Sequence, residues 1–202
     1  MRYAKTHKQE TREKVVKIAA KMLREKGPDG VGVAEVMREA GLTHGGFYAH
    51  FPSKDAFLTE SLTEILNEFA ERREKLTEGL SPREALVTYI ESYVSTRHRD
   101  HPVAGCPLPA LTSELPRQPK KFRAAFDEGT KRIVTWLAER MEASGIAHPD
   151  KVAVSTLSAM VGAIALARAL SDRALSDALI ESAKVGIKSQ LGLAEASPRR
   201  LS

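Results

Sequence analysis

The stretch from Gly41 to Phe51, Gly-Leu-Thr-His-Gly-Gly-Phe-Tyr-Ala-His-Phe, most constrains the fold because it is short, polar and flanked by segments of helical period. Before it, apolar residues recur at the i, i+3, i+4, i+7 spacing that is typical of one helical face. Gly41 then supplies the residue type that commonly ends helices, and Thr43 can cap a second short helix. The stretch therefore predicts a helix-turn-helix.

The second helix of this motif is expected to have one buried and one exposed side. Phe47 and Phe51 are four residues apart, so they would face inward together. The outer side would present small and hydrogen-bonding groups, which suits close approach to the wall of a DNA groove. The residues left on this outer side are His44, Gly45, Gly46, Tyr48 and His50.

Four short stretches of this region resemble the TetR family of bacterial transcriptional regulators: Gly41-Leu42-Thr43, Phe47-Tyr48, His50-Phe51 and Ser53-Lys54. The resemblance in motif covers roughly Thr11 to Leu58. It implies an all-α homodimer with a three-helix helix-turn-helix DNA-binding domain (residues 1–52) and a helical ligand-binding and dimerisation domain (residues 53–193). It also implies a repressor that leaves double-stranded operator DNA when a small-molecule inducer binds. We expect residues 194–202 to form a disordered tail.

The resemblance places Tyr48, His50 and Lys54 mainly on DNA phosphates, with Thr43 at a helix N-terminus that favours anions. The alternative is that Tyr48 and His50 are packing residues. The predicted DNA-binding residues are Thr43, His44, Gly45, Gly46, Tyr48, His50 and Lys54. Gly32, Ala34 and Gly46 stand where the family commonly has polar or hydroxyl residues, so fewer direct contacts to DNA are expected.

Composition agrees with a helical DNA-binding protein. Aromatic residues make up only 5% of the 202 residues, and the formal net charge is +5. Between Met1 and Lys26 there are nine basic residues against three acidic ones, which permits a polyanionic partner. We expect a polar, basic N-terminal arm over Met1–Gln9, followed by a helix over Thr11–Lys26. No apolar stretch follows this basic segment, so we expect a cytoplasmic protein rather than a secreted one.

The sequence offers no catalytic or metal-binding pattern. There is no HExxH spacing, no phosphate-binding glycine loop and no serine in a nucleophile elbow, so we predict no enzyme, no cofactor and no metal. Two alternatives stay open: a helical enzyme or carrier with an incidental helix-turn-helix, and a DNA-architectural protein without a ligand. The second predicts a solid C-terminal core.

The larger apolar groups outside the DNA-binding region lie in segments 82–97, 105–115 and 122–141, on either side of a loop expected at 98–102. We predict that these segments bound a small-molecule pocket, which is usually apolar with a few polar groups; a filled core is the alternative. The predicted ligand-binding residues are Tyr89, Tyr93, Cys106, Phe122, Phe126 and Trp136.

Cys106 is the chain's single cysteine, so it cannot form an intramolecular disulfide. It lies near His98, Arg99 and His101 at the start of a helix-like segment, where a positive environment would lower the thiol pKa. A thiol-based repressor that senses electrophiles or oxidants is therefore an alternative function. The simpler interpretation is that Cys106 is a small buried apolar residue.

The last two helices combine small residues with aliphatic ones, which allows close helix approach. We expect the segment 152–170 to be a buried helix. The two helices would form a four-helix dimer interface, with packing inside one chain as the alternative. The predicted interface residues are Ala159, Gly162, Ala163, Ala167, Leu179 and Ala183.

Overall fold

A computed structural model describes the backbone of residues 2–193 and the side chains from residue 8 onward. The predicted all-α fold is confirmed, since every regular element in this part of the chain is helical. The nine α-helices described are α1 (Arg2–Lys26), α2 (Val33–Glu39), α3 (Lys54–Thr77), α4 (Pro82–Tyr93), α5 (Thr96–Asp100), α6 (Leu108–Leu111), α7 (Lys120–Ala143), α8 (Pro149–Ala169) and α9 (Arg173–Gln190). Short 3₁₀ helices cover His44–Ala49, Pro102–Ala104 and Leu115–Arg117.

Local caps explain where several helices begin and end. Gly41 has φ of +77°, and the N–H of Leu42 donates to the carbonyl of Met37 over 2.8 Å, which is the Schellman ending of α2. At the start of α4, Ser81 and Glu84 satisfy each other's backbone N–H groups in a capping box. Ser53 caps α3 by accepting from the N–H of Ala56.

Two sequence predictions about helix limits are wrong. The arm expected over residues 1–9 is helical from Arg2, because α1 continues through it. The loop expected at 98–102 is occupied by α5 up to Asp100. The helix before it ends at Tyr93, and Ser95 begins a new one by accepting from the N–H of His98. The apolar period of α4 by itself predicts a longer helix, but Ser95 ends it because this serine caps the next helix.

The chain divides into two compact units. The first unit comprises the residues up to Glu71 together with Pro102–Lys131, and the second comprises Arg72–His101 with the residues from Arg132 onward. Helices α3 and α7 each contribute residues to both units. The predicted boundary between residues 52 and 53 stays a prediction. The predicted disordered tail, residues 194–202, lies outside the described residues.

The core of the first unit includes an aromatic cluster that holds the helix-turn-helix. The rings of Phe47 and Phe51 stack with centroids 5.3 Å apart, and Phe57 packs against both at 5.4 and 4.7 Å. Buried Arg24 of α1 donates to Glu68 over 2.7 Å and to the carbonyl of Val103 over 2.5 Å. The segment that begins at residue 102 is therefore anchored to α1.

In the second unit, α8 and α9 form an antiparallel pair that Arg99 joins to α5. Its guanidinium donates to Asp100 over 2.8 Å, to Asp177 over 2.6 Å and to Ser176 over 2.7 Å. Ser176 in turn donates to the carbonyl of Ala167 near the end of α8. Every nitrogen of this buried guanidinium has an acceptor, because Nη2 also contacts Asp100.

The segment 152–170 is helical as predicted, but the prediction that it is buried is wrong for one of its faces. Met160 and Ile164 are buried, whereas Val154 and Leu166 are exposed. Among the described helices, α8 is also the one long and apolar enough to span a membrane by length and composition. A core helix passes the same test, so this is weak evidence for a membrane span.

Candidate DNA-binding surface and effector site

The DNA-binding surface begins at Thr43, which precedes the 3₁₀ helix His44–Ala49. Its backbone is extended, as a cap requires, but its side chain accepts no hydrogen bond from that helix. The helix is held by backbone bonds, such as the N–H of Gly46 donating to the carbonyl of Thr43 over 3.1 Å. Thr43 as a residue is exposed.

Most of the predicted DNA-binding residues lie on the outside of this segment. Tyr48 is 70% exposed, while its ring touches the edge of Phe47 with centroids 5.2 Å apart. Gly46 and His50 are half-buried, and the Nδ1 atom of His50 is buried without a hydrogen-bond partner among the described residues. The exposed members of the set are Thr43, His44, Gly45, Tyr48 and Lys54.

The two adjacent glycines of this segment are not required by packing. A Cβ atom at Gly45 would meet nothing within 4 Å, and one at Gly46 would lie 3.7 Å from Met37 and 3.8 Å from Thr43, which is ordinary contact. Neither glycine has a positive φ. The fold would therefore accept a Cβ atom at either position.

Sequence reasoning missed Arg12 of α1, which holds the end of the 3₁₀ helix. Its guanidinium lies 4.8 Å from the centroid of the Phe51 ring and forms an ion pair with Glu60. Its Nε donates to the carbonyl of His50 over a long 3.4 Å. No local spacing could have identified this role, because the partners are 38 to 48 positions away in the chain.

The six predicted ligand-binding residues are divided between the two units. Tyr89, Tyr93 and Trp136 form a buried aromatic cluster in the second unit, with ring centroids 5.8 Å apart for the two tyrosines and 5.0 Å apart for Tyr89 and Trp136. Cys106, Phe122 and half-buried Phe126 belong to the first unit. The predicted pocket over all six residues stays a prediction.

The aromatic cluster has charged neighbours that sequence reasoning also missed. The guanidinium groups of Arg73 and Arg140 lie 4.8 and 4.2 Å from the centroid of the Trp136 ring. The carboxylate of Glu74 forms an ion pair with both groups, 2.9 Å from Arg73 and 3.6 Å from Arg140. Partial burial raises the pKa of Glu74, but its hydrogen bond from Arg73 and the other neighbouring donors outweigh this and lower the pKa.

Cys106 has no exposed surface. A reactive sensor thiol must be reached by its oxidant or electrophile, so this burial favours the simpler interpretation of a small apolar core residue. In the described part of the chain, no group of three or more His, Cys, Asp or Glu residues is placed to hold a metal ion.

The predicted dimer-interface residues are only partly exposed. Ala163 and Ala167 are buried within their own chain, Ala159 is exposed, and Gly162 is half-buried. Leu179 and Ala183 of α9 are also half-buried. The larger apolar side chains of these two helices that are exposed by 52–59% are Val154, Leu166, Leu175 and Val185. We call these four residues the exposed apolar face of α8 and α9.

Known families match both parts of the chain. The model of the tetR family of bacterial regulatory proteins matches residues 15–60, and the C-terminal domain model of LmrA/YxaF-like transcriptional regulators matches residues 82–179. The first match contains the helix-turn-helix described above, and the second begins at the first residue of α4.

Similar proteins are transcriptional regulators. An uncharacterized HTH-type transcriptional regulator of Mycobacterium tuberculosis is 30% identical over 175 residues, which are 80% of this chain and 86% of that protein. The HTH-type transcriptional repressor NemR of Escherichia coli is 24% identical over 138 residues, which are 66% of this chain and 68% of that protein.

Solved structures share the fold. The crystal structure of reduced E. coli NemR has a TM-score of 0.78 at 22% identity, covering 94% of this chain and 99% of that one. A TetR regulator from Chloroflexus aurantiacus has a TM-score of 0.79 at 22% identity, covering 93% and 96%. The exposed helix-turn-helix, both family models and these relatives together show that the chain belongs to the TetR family and is a DNA-binding regulator of transcription.

Proposed function

We propose that this regulator is a cytoplasmic repressor that binds a palindromic operator as a homodimer and leaves it when a small molecule binds. The observation that carries the proposal is the exposed outer side of His44–Ala49, which packs on the aromatic cluster of Phe47, Phe51 and Phe57. The proposal gives the chain no catalytic role and no cofactor or metal.

The DNA contacts are assigned by exposure and chemistry. Exposed Tyr48 and Lys54 carry a hydroxyl and an ammonium group that can reach phosphates, which supply most of the affinity of such interfaces. Gly45 and Gly46, which the fold does not require, remove bulk where the segment approaches the groove. With few side chains left to read base edges, DNA shape would contribute to specificity. Thr43, His44 and His50 complete the proposed contact surface.

The homodimer is assigned to the exposed apolar face of α8 and α9. Four aliphatic side chains are exposed on this helix pair, and a monomer would leave this apolar surface in water. The small residues Ala159 and Gly162 lie on α8 and would let a helix of the partner subunit approach closely. Ala163 and Ala167 would support the interface from beneath, because each is already buried within its own chain.

A charge on this face tests the assembly. Leu166→Glu should yield monomers in sedimentation analysis and lower operator affinity, while the α-helical content stays unchanged. Gln190→Glu adds the same charge at an exposed polar position of α9, and it should remain a dimer. A Leu166→Glu protein that sediments as a dimer would place the interface elsewhere.

Release from the operator is proposed to follow from ligand binding at the aromatic cluster Tyr89, Tyr93 and Trp136. A ligand that binds one dimer conformation more tightly than another shifts the population between them. The conformation favoured by the ligand would no longer fit half-sites about 34–36 Å apart, or one DNA turn. Helices α3 and α7, which contribute to both units, are the continuous elements that can carry such a change.

Selection of binding sites from random duplex DNA by the full-length protein tests the proposed function. We expect an inverted repeat whose half-sites are centred about one helical turn apart, or a multiple of it. Tyr48→Phe removes one hydroxyl and should weaken binding to all selected sequences to a similar degree. Enrichment of a single non-repeated motif, or of no motif, would contradict the proposed homodimeric operator binding.

A further inference from the structure

We propose that the ligand of the second unit carries a carboxylate-sized anion, and that Arg73 is the residue that holds this anion. The proposal rests on the proposed function only in giving the ligand the role of inducer. The described part of the chain has three buried arginines, Arg24, Arg73 and Arg99.

The other two buried arginines have structural roles that their hydrogen bonds explain. Arg99 uses all three of its nitrogens, on Asp100, Asp177 and Ser176. Arg24 uses Nη1 on the carbonyl of Val103 and Nη2 on Glu68, while its Nε is buried without a partner among the described residues. Both arginines tie together elements that are distant in sequence, so their burial is compensated by hydrogen bonds and opposite charge.

Arg73 has the fewest partners of the three. Its side chain is 6% exposed, and only Nη2 has a partner, the carboxylate of the adjacent residue Glu74 at 2.9 Å. Nε and Nη1 are buried, and no group in the described part of the chain accepts a hydrogen bond from them. Buried donors of this kind are rare in folded proteins and call for an explanation.

Packing on Trp136 does not supply that explanation. The cation–π contact with the ring supplies charge stabilisation but no hydrogen-bond acceptor, and the N–H groups of a guanidinium need acceptors. Glu74 cannot neutralise the whole site, because it is half-exposed and is shared with Arg140 at 3.6 Å. Two guanidinium groups therefore flank one indole, and the N–H groups of Arg73 are left for an anion.

The neighbouring groups indicate what the rest of the ligand is like. Tyr89 lies 5.0 Å from Trp136 and 5.8 Å from Tyr93, so an apolar or aromatic body could pack beside the charge. A carboxylate accepts short, charge-assisted hydrogen bonds from guanidinium N–H groups. The inferred ligand class is an organic acid with an apolar body, bound as its anion.

Trp136 is the only tryptophan of the chain, so its fluorescence reports directly on this site. The probes are octanoate and 4-phenylbutyrate, each compared with its own primary amide, which has the same shape without the charge. We expect both carboxylates to change the emission saturably at millimolar concentration or below. Each should bind about 10- to 100-fold more tightly than its amide, as a charge-assisted hydrogen bond allows.

Arg73→Met keeps an unbranched apolar stem beside Trp136 and removes the donors. It should bind acid and amide equally, while Arg72→Met, which removes the same charge from the exposed neighbour, should keep the preference for acids. A carboxylate preference that survives Arg73→Met, equal binding of acids and amides by the wild-type protein, or no response to either carboxylate would overturn the assignment.

Release of a labelled operator by the same four compounds separates this proposal from the proposed function. Acids that bind through Arg73 without releasing the operator would leave the anion site standing and refute its role as the inducer site. Amides that release the operator as well as the acids do would support ligand-induced release and refute the need for an anion.

Discussion

Lys54 provides the sharpest test of the DNA-binding surface because its replacement should affect DNA affinity and folding stability in different directions. It is the first residue of α3, and its side chain is exposed and has no hydrogen bond or ion pair with the described residues. A positive charge at a helix N-terminus opposes the helix dipole by about 0.3–1 kcal/mol. We therefore expect Lys54→Gln to keep or slightly raise stability while it weakens DNA binding.

The size of the effect follows from counterion release. Each phosphate neutralised by a lysine contributes about 0.9 to the slope of log affinity against log salt concentration. A homodimer loses two such contacts, so the slope should become shallower by about 1.8. Between about 50 and about 200 mM salt, the variant should therefore lose roughly 12-fold less affinity than the wild-type protein.

The measurement is fluorescence anisotropy of a selected duplex at several salt concentrations. Lys151→Gln is the matched control, because Lys151 is also exposed in the first turn of a helix, α8, and is outside the proposed DNA surface. It should leave the salt slope unchanged. If Lys54→Gln has the wild-type slope and affinity in a folded dimer, the assignment of Lys54 to phosphates is refuted.

Three further predictions concern stability, measured by chemical denaturation of the full-length protein. Gly41→Ala should lower the free energy of unfolding by about 1–2 kcal/mol. Gly41 has φ of +77° and nothing lies near its Cβ position, so the loss would come from backbone strain alone. An unchanged denaturation midpoint would contradict this. Ser176→Ala should lower the free energy of unfolding by about 1–3 kcal/mol, since the buried carbonyl of Ala167 loses its hydrogen-bond donor. A smaller loss would mean that water replaces the hydroxyl. The hydrogen bond from Arg99 is the largest cause that lowers the pKa of Asp100. The resulting stability is present above about pH 3.9, the unfolded pKa, and is lost as pH falls below it, so Asp100→Asn should be less stable at neutral pH and should lose less stability on acidification. An equal acid response in both proteins would be the contrary result.

The helix limits that the sequence determines are those fixed by local interactions. Gly41, Ser53 and Ser81 act on backbone groups within about four positions, so the residue types alone predict where α2 ends and where α3 and α4 begin. The inward placement of Phe47 and Phe51 follows in the same way, because residues four apart share a helical face.

Other local features were ambiguous because two local rules compete. Ser95 caps α5, but a serine inside an apolar periodic segment is equally consistent with an uninterrupted helix. The segment after Thr43 takes 3₁₀ rather than α-helical geometry, which the spacing of Phe47 and Phe51 does not distinguish over six residues.

Only the tertiary structure decides which charged residues are buried and which apolar residues are exposed. Arg12, Arg24, Arg73 and Arg99 look alike in the sequence, since each is one basic residue on a helix, yet their environments differ entirely. Arg99 is saturated by partners up to 78 positions away, whereas Arg73 keeps buried donors without acceptors. In the same way, Ala163 is buried and Leu166 is exposed on one helix, because the side of α8 that α9 and α5 cover is set by long-range packing. Local sequence determines where helices start and stop, and long-range contacts determine which of their faces remain available for binding.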